Sequence, residues 1–190
     1  MTTNNSADQV NVISGTTPGC NLLGSVTASN SATVIFSGLS NTVYSRYEIV
    51  ITAALPVTNG ANLYLTTSNN SGSTYGGNIY ATNYLQWNPG GSGTGGTNNL
   101  AQIQINQGSS IDNTNSVGLN GMIQWRDLVS SSQQFFNWDA VWLQSSGTTI
   151  YAINGWAYAS DNSAAITNVK LAMSTGNISF GTFKLYGYLA

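Results

Sequence analysis

The sequence predicts an all-β protein, an antiparallel β-sandwich that is jelly-roll-like, with about eight to ten strands and an N-terminal arm. Short segments rich in β-branched and aromatic residues recur along the chain, and Gly, Asn and Ser cluster between them. Such clusters supply the backbone freedom and the local hydrogen bonds that turns need. No segment keeps the helical spacing of apolar residues over the length that a stable helix requires.

The chain divides into a short arm and one domain. Its 190 residues fit a single domain with a small appendage. Residues 1–22 are polar and poor in aromatic side chains, so we expect an arm for assembly and attachment there. The first residues lack the basic and apolar regions of a signal peptide. The jelly-roll domain is expected over residues 23–190.

Ten segments carry strand patterns. Segment 100–105 alternates apolar and polar residues with a period of two. In the closing segment, Phe183 and Leu185 face one side of the predicted strand, and Lys184 faces the other. In chain order, the predicted strands are 34–36, 47–52, 63–66, 100–105, 122–125, 135–138, 141–143, 149–153, 169–173 and 183–188.

Turn residues separate these segments. Asn59 with Gly60 and the segment 145–147 are turn signals. The glycine-rich stretch 88–99 is interpreted as an exposed loop inside the domain, because predicted strands flank it on both sides. It is either a flexible connection or a distal loop that reaches a partner or ligand. The run 112–115 lacks the ligand alternation and the closing Glu of an EF-type calcium loop, so an Asx-turn is expected.

The composition excludes several function classes. Only 5% of the residues are charged, and the net charge is −2. No basic patch is expected from 4 Lys and Arg residues, which argues against nucleic-acid binding. A membrane-spanning helix needs about 20 consecutive apolar residues, and no apolar run in the sequence is that long, so no membrane insertion is expected. Uncharged polar side chains are easier to bury at interfaces than unpaired charges, so the composition suits a packed assembly.

Chemistry has little support in the sequence. The chain contains no His, which excludes the Ser–His and Cys–His pairs of nucleophilic catalysis and the usual zinc sites. The single cysteine, Cys20, cannot form an internal disulfide. Asp127 and Asp139 flank an aromatic run and are a remote candidate for the carboxylate pair of a glycosidase. The favoured alternative is that Asp127 pairs with Arg126 or Arg46, or caps a turn. We expect a protein that is not an enzyme, with no catalytic residue, no cofactor and no metal.

Aromatic side chains are the most informative group. Two interpretations stay open for the tryptophans of the C-terminal half: they form the sandwich core, or they form a platform for sugar rings or a partner protein. Trp138 and Trp142 share parity and therefore face one side if their strand is unbroken. The tryptophans of this half are Trp125, Trp138, Trp142 and Trp156.

A second aromatic group lies beside the glycine-rich stretch. Several asparagines interleave with these aromatic residues, and rings together with amides are a composition typical of glycan contacts. Ordinary loop packing is the alternative. The candidate ligand or partner contacts are Tyr75, Tyr80, Tyr84 and Trp87.

The end of the chain carries a family resemblance. Residues 166–178 lead through Thr175-Gly176-Asn177-Ile178 into Gly181-Thr182-Phe183-Lys184-Leu185-Tyr186-Gly187. This ending resembles bacteriophage virion β-sandwich proteins, found in tail fibres, tailspikes and capsid-associated proteins, which close with a Ser-Gly-Asn-Ile turn and a Gly-Thr-x-x-Leu-Tyr-Gly strand. Thr175 stands here in place of the Ser. Segment 36–39, followed by 44–47, resembles an early hairpin of the same family.

The resemblance implies a structural protein on the surface of a phage particle. The leading expectation is a tail-fibre or receptor-binding module that assembles into a homo-oligomer, a trimer, and contacts the host surface, with a host glycan as a possible ligand. The arm would join it to other virion proteins. The alternative is a decoration or cement protein on the phage head. A carbohydrate-active enzyme is the remote alternative.

Overall fold

The computed structural model describes residues 8–11, 19–40, 42–76, 80–126, 134–159 and 164–189. In these ranges the chain forms thirteen β-strands in two sheets, which exceeds the eight to ten strands predicted from the sequence. No helix in the described part of the chain is long and apolar enough to cross a membrane. The all-β prediction is confirmed.

The two sheets contain eight and five strands. The larger sheet has the order β2-β13-β4-β9-β10-β11-β6-β7, and the smaller has the order β1-β3-β12-β5-β8. The strands are β1 (Asp8–Asn11), β2 (Cys20–Ser31), β3 (Val34–Ser37), β4 (Tyr44–Pro56), β5 (Leu63–Ser68), β6 (Tyr80–Asn88), β7 (Gly91–Leu100), β8 (Ile103–Gln104), β9 (Leu119–Arg126), β10 (Gln134–Leu143), β11 (Ile150–Ala159), β12 (Asn168–Met173) and β13 (Ile178–Leu189).

Four nested strand pairs define the jelly roll. The outermost pair joins β2 to β13, followed inward along the chain by β3 with β12, β4 with β9, and β5 with β8. All four pairs are antiparallel. A long hairpin folded in this way gives two packed sheets, which is the predicted jelly-roll sandwich. The hairpins β6–β7 and β10–β11 are insertions that extend the larger sheet beyond β9.

The segment predicted as an arm contains strand structure of its own. β1 pairs in parallel with β3 at the edge of the smaller sheet. β2 begins at Cys20, before the expected start of the domain at residue 23. Within the described residues, the part of the arm at 8–11 therefore lies against its own chain.

Three local predictions are wrong. The stretch 88–99 is not a loop, because all but its first residues belong to β7, which pairs with β6. Segment 100–105 is not one strand, since β7 ends at Leu100 and β8 begins at Ile103. The separate strands predicted at 135–138 and 141–143 form the single strand β10.

The two resemblance segments are not hairpins. β3 and β4 lie in different sheets, and so do β12 and β13. Gly176 has a φ of +67°, so the expected turn is present, but it carries the chain from one sheet to the other. A tight glycine turn has the same sequence signal whether it joins two paired strands or connects strands of different sheets. By contrast, the turn at 145–147 does join the paired strands β10 and β11.

The core lies between the sheets and is rich in aromatic rings. On the inner face of the larger sheet, Tyr47 stacks on Trp125 with ring centroids 5.2 Å apart, and Trp125 stacks on Phe136 at 6.1 Å. Phe136 meets Tyr80 edge-on at 6.2 Å. This row of rings runs from β4 to β6 on the inner face of the larger sheet. Its packing stabilises the strands whose other side chains form the outer face.

Candidate functional site

The outer face of the larger sheet exposes an unusual number of apolar side chains. Along β10, residues alternate strictly between buried and exposed until the last, so the side chains opposite the core point outward. The strand register aligns these residues across β9, β10, β11 and β6. In β6, β10 and β11, five exposed apolar side chains lie on this face: Trp87, Phe135, Val141, Ile150 and Trp156.

Trp156 is the centre of this face. Its side chain is 49% exposed, although Trp is a residue that is usually well buried. In the ladder it pairs with Asn137 on one side and with Asn83 on the other. An exposed ring flanked by two amides offers a stacking surface together with hydrogen-bond donors and acceptors.

Trp87 provides a second exposed ring, at 43% exposure. It pairs with Ala152, four residues before Trp156 on β11, which places the two tryptophans about 13 Å apart along the strands. Between them, the Asn154 amide donates to Asp139 Oδ1 at 2.7 Å. The two rings and the polar groups beside and between them are here called the tryptophan platform, defined by Asn83, Trp87, Asn137, Asp139, Asn154 and Trp156.

A groove of about 520 Å³ adjoins the tryptophan platform. Its lining includes Arg46 from β4, Arg126 from β9, Phe135 and Asn137 from β10, and Tyr188 from β13. Asn137 belongs to both the groove and the platform, so the two form one continuous surface. We call this depression the arginine groove.

Electrostatic contacts organise the arginine groove. The Arg46 guanidinium carbon lies 3.7 Å from the centroid of the Tyr188 ring. Glu48 Oε2 accepts hydrogen bonds from Gln124 Nε2 at 2.7 Å and from the Tyr188 hydroxyl at 3.0 Å. Burial, the Cys20 thiol and the Glu48 carboxylate raise the pKa of Tyr188 to about 12. The hydroxyl therefore stays protonated at neutral pH and continues to donate to Glu48.

The structure separates the four contact residues expected from the sequence. Trp87 alone belongs to the tryptophan platform. Tyr80 is fully buried and hydrogen-bonds with Thr67, and Tyr84 packs on the core from the inner face. Tyr75 lies beside the smaller sheet, where the Lys170 amine is 4.4 Å from its ring centroid, and burial raises the pKa of Tyr75.

The acidic candidates are dispersed. Asp127 lies outside the described residues, and Asp139 is bonded to Asn154 on the outer face. Asp112 is buried and accepts from the Thr114 hydroxyl and from the Asn115 backbone amide. This amide lies three residues on, whereas an Asx-turn bonds the amide two residues on, so the run forms a turn closed by its own aspartate and not the expected Asx-turn. Among the described residues, no group of three or more His, Cys, Asp or Glu side chains could hold a metal ion.

Neither the exposed position of Trp156 nor its neighbours on the platform were predicted from the sequence. Trp125, Trp138 and Trp142 are core residues, whereas Trp156 is exposed. A parity signal was available, because Trp156 lies an odd number of residues after Ile153, which is buried. The pairing of Arg46 with Arg126 carried no local signal, since it depends on which strands are neighbours.

No protein-family model and no curated protein sequence matches the chain.

Proposed function

We propose that the protein is a structural module on the surface of a bacteriophage particle, of the tail-fibre or receptor-binding type, and that it contacts a saccharide of the host surface. The tryptophan platform carries the proposal for binding. Phage origin is supported by the resemblance of the closing segment, which ends in a Gly-Thr-x-x-Leu-Tyr-Gly pattern.

The platform favours a saccharide because of its geometry and chemistry. The apolar face of a sugar ring can stack on an exposed indole, and its hydroxyls need donors and acceptors beside that ring. Trp156 has an asparagine on each side, and Trp87 offers a second ring on the same face of the sheet. Two separated rings, with amides beside Trp156 and Asn154 between the rings, suit a chain of sugars.

Competition for phage adsorption tests the proposal. Purified protein is expected to reduce adsorption of its phage to host cells, and Trp156→Ala is expected to weaken this competition by about tenfold or more, as truncation of a central aromatic contact does. Phe180→Ala is the matched control, because Phe180 is 51% exposed and lies outside the platform. Equal loss in both variants, or no competition by the wild type, would contradict saccharide recognition by this platform.

A decoration or cement protein of the phage head is the second candidate. The pairing of β1 with β3 at a sheet edge favours it, because a strand at that position can be exchanged for or extended by a neighbouring chain. Antibody labelling of intact particles separates the two candidates. Label on the tail supports the receptor-binding module, and uniform label on the head supports decoration.

Assembly into a homotrimer is part of the same proposal. The 5% charged fraction leaves a surface of uncharged polar side chains, which lowers the desolvation penalty of packing copies together. Sedimentation equilibrium is expected to give three times the 20.0 kDa mass of the chain. A monomer that persists at high protein concentration would contradict it.

A further inference from the structure

We infer that the arginine groove binds the acidic group of an anionic sugar, a carboxylate or a phosphate, within the same host saccharide, which makes this inference dependent on the proposed function. The groove would then select acidic over neutral glycans, while the tryptophan platform holds the rings that follow.

Two of the chain's 4 Lys and Arg residues meet in this groove. Arg46 and Arg126 are direct cross-strand partners on β4 and β9. Like charges in that position repel each other, so their pairing is unfavourable without an anion. No Asp or Glu is among the described residues that line the groove, so a ligand anion would supply the missing countercharge.

The carboxylate of Glu48 is already occupied. One of its oxygens accepts from both Gln124 and Tyr188. Glu48 thus belongs to a hydrogen-bonded set beside the groove, and it does not line the groove. Glu48 keeps its negative charge in these hydrogen bonds, but Arg46 and Arg126 outnumber it, so the three side chains together carry a net positive charge.

Arg46 is held ready for a ligand. Its guanidinium lies on the Tyr188 ring, which restricts the side chain by a cation–π contact. Its Nε is buried and has no hydrogen-bond partner among the described residues. A carboxylate or phosphate oxygen that enters the groove would form a charge-assisted hydrogen bond with this guanidinium group.

The rest of the groove fits a sugar that carries the anion. Phe135 is 57% exposed at its wall and can cover an apolar ring face, while Asn137 offers an amide. The volume of about 520 Å³ falls within the range of roughly 300–1,000 Å³ typical of small-molecule sites. Because Asn137 also neighbours Trp156, a glycan can continue from the groove onto the platform.

A paired glycan array tests the inference. Oligosaccharides bearing hexuronic acids, ulosonic acids or sugar phosphates are each printed beside their carboxyl-reduced or dephosphorylated counterpart. The wild type is expected to prefer an acidic member over its neutral partner by about tenfold or more, as loss of a charge-assisted contact would predict. Carboxylate and phosphate pairs identify which acidic group is bound.

Variants then assign the preference to the groove. Arg126→Gln is expected to abolish most of the acidic preference, because it removes one of the two charges of the groove; Arg126 is exposed, so the replacement does not disturb the core. Lys184→Gln is the matched control, since it removes the same charge from an exposed position on the same sheet face, outside the groove. It is expected to keep the preference.

The outcomes separate the two proposals. Binding that requires Trp156 but shows no acidic preference in the wild type overturns the inference and leaves the proposed function intact. An equal loss of preference in Arg126→Gln and Lys184→Gln also overturns it, because that result indicates only the overall charge. Absence of binding to every glycan by the wild type contradicts both.

Discussion

Trp138 and Trp142 lie on the same strand and the same buried face, but they differ in one hydrogen bond. The Trp138 indole donates to the backbone carbonyl of Ile105 at 2.9 Å in the core. The Trp142 indole nitrogen is also buried, and it has no hydrogen-bond partner in the described part of the chain. The difference between the two tryptophans therefore reports what the hydrogen bond from Trp138 to Ile105 contributes to the free energy of unfolding.

Replacement by phenylalanine is expected to separate the two residues. Trp138→Phe should lower the free energy of unfolding by about 1–3 kcal/mol more than Trp142→Phe, because it leaves the Ile105 carbonyl buried without its donor. Both changes remove the same atoms, so each serves as the control for the other. Urea denaturation measures the difference, and equal destabilisation would show that the hydrogen bond is not a net contributor.

The alternation of side chains along a strand made it possible to predict which residues share a face. The even spacing of Trp138 and Trp142 predicted their shared face, and the structure confirms it. The proximity of Arg46 and Arg126 could not be predicted from alternation alone, because the two residues meet only through the pairing of β4 with β9. Strand pairing between segments far apart in sequence depends on packing of the whole domain, so local patterns could not reveal the arginine groove.

The hairpin β6–β7 shows how a glycine-rich segment can form an ordered strand. Gly95 pairs with Tyr84, and a Cβ at Gly95 would lie 2.5 Å from the Tyr84 hydroxyl oxygen. Gly93 pairs with Gln86 in the same way. The glycines make room for large side chains of the neighbouring strand, which then shield the glycine backbone.

Alanine at the two glycines is expected to act differently. Gly95→Ala should destabilise the hairpin by about 1–3 kcal/mol, because the new methyl group displaces the Tyr84 ring. Gly93→Ala is the control, since its Cβ would lie 3.2 Å from the Gln86 side-chain nitrogen, a milder contact than the one at Gly95. Hydrogen exchange of the β7 amides measures the change. Equal exchange rates in the two variants would contradict this role of the Gly95–Tyr84 pair.

Composition alone led to the wrong interpretation of this element. Gly, Ser, Thr and Asn in 88–99 are typical of flexible connections. The partner strand supplies the stabilising side chains, and its position beside β7 is not encoded in the stretch itself. The turn at 145–147 was easier to predict, because the strands it joins carry strong apolar patterns and pair with each other.

At the scale of the whole molecule, the jelly roll is complete without the N-terminal segment. All four nested pairs lie between β2 and β13, and β1 adds only an edge strand beside β3. The sandwich class and its approximate size followed from strand spacing and turn residues. The two inserted hairpins could not be predicted in the same way, because a sequence pattern indicates strands but does not indicate which sheet each strand joins.

A variant that lacks residues 1–18 is expected to fold but not to attach. Its far-UV circular dichroism and cooperative thermal unfolding should match those of the full chain, because β2 to β13 are retained. Incorporation into particles during complementation should be lost, since the segment proposed to join other virion proteins is absent. Incorporation at the level of the full chain would contradict that role for the arm.

Indole N–H signals report on saccharide binding most directly. The chain has 5 Trp residues, of which Trp87 and Trp156 are exposed and the other three are buried. In a ¹H–¹⁵N titration with the host surface saccharide, the Trp87 and Trp156 indole signals are expected to shift with increasing ligand, while the buried indoles stay in place as internal controls. Shifts confined to the buried indoles, or no shift of the Trp156 signal at saturating saccharide, would contradict binding on the outer face.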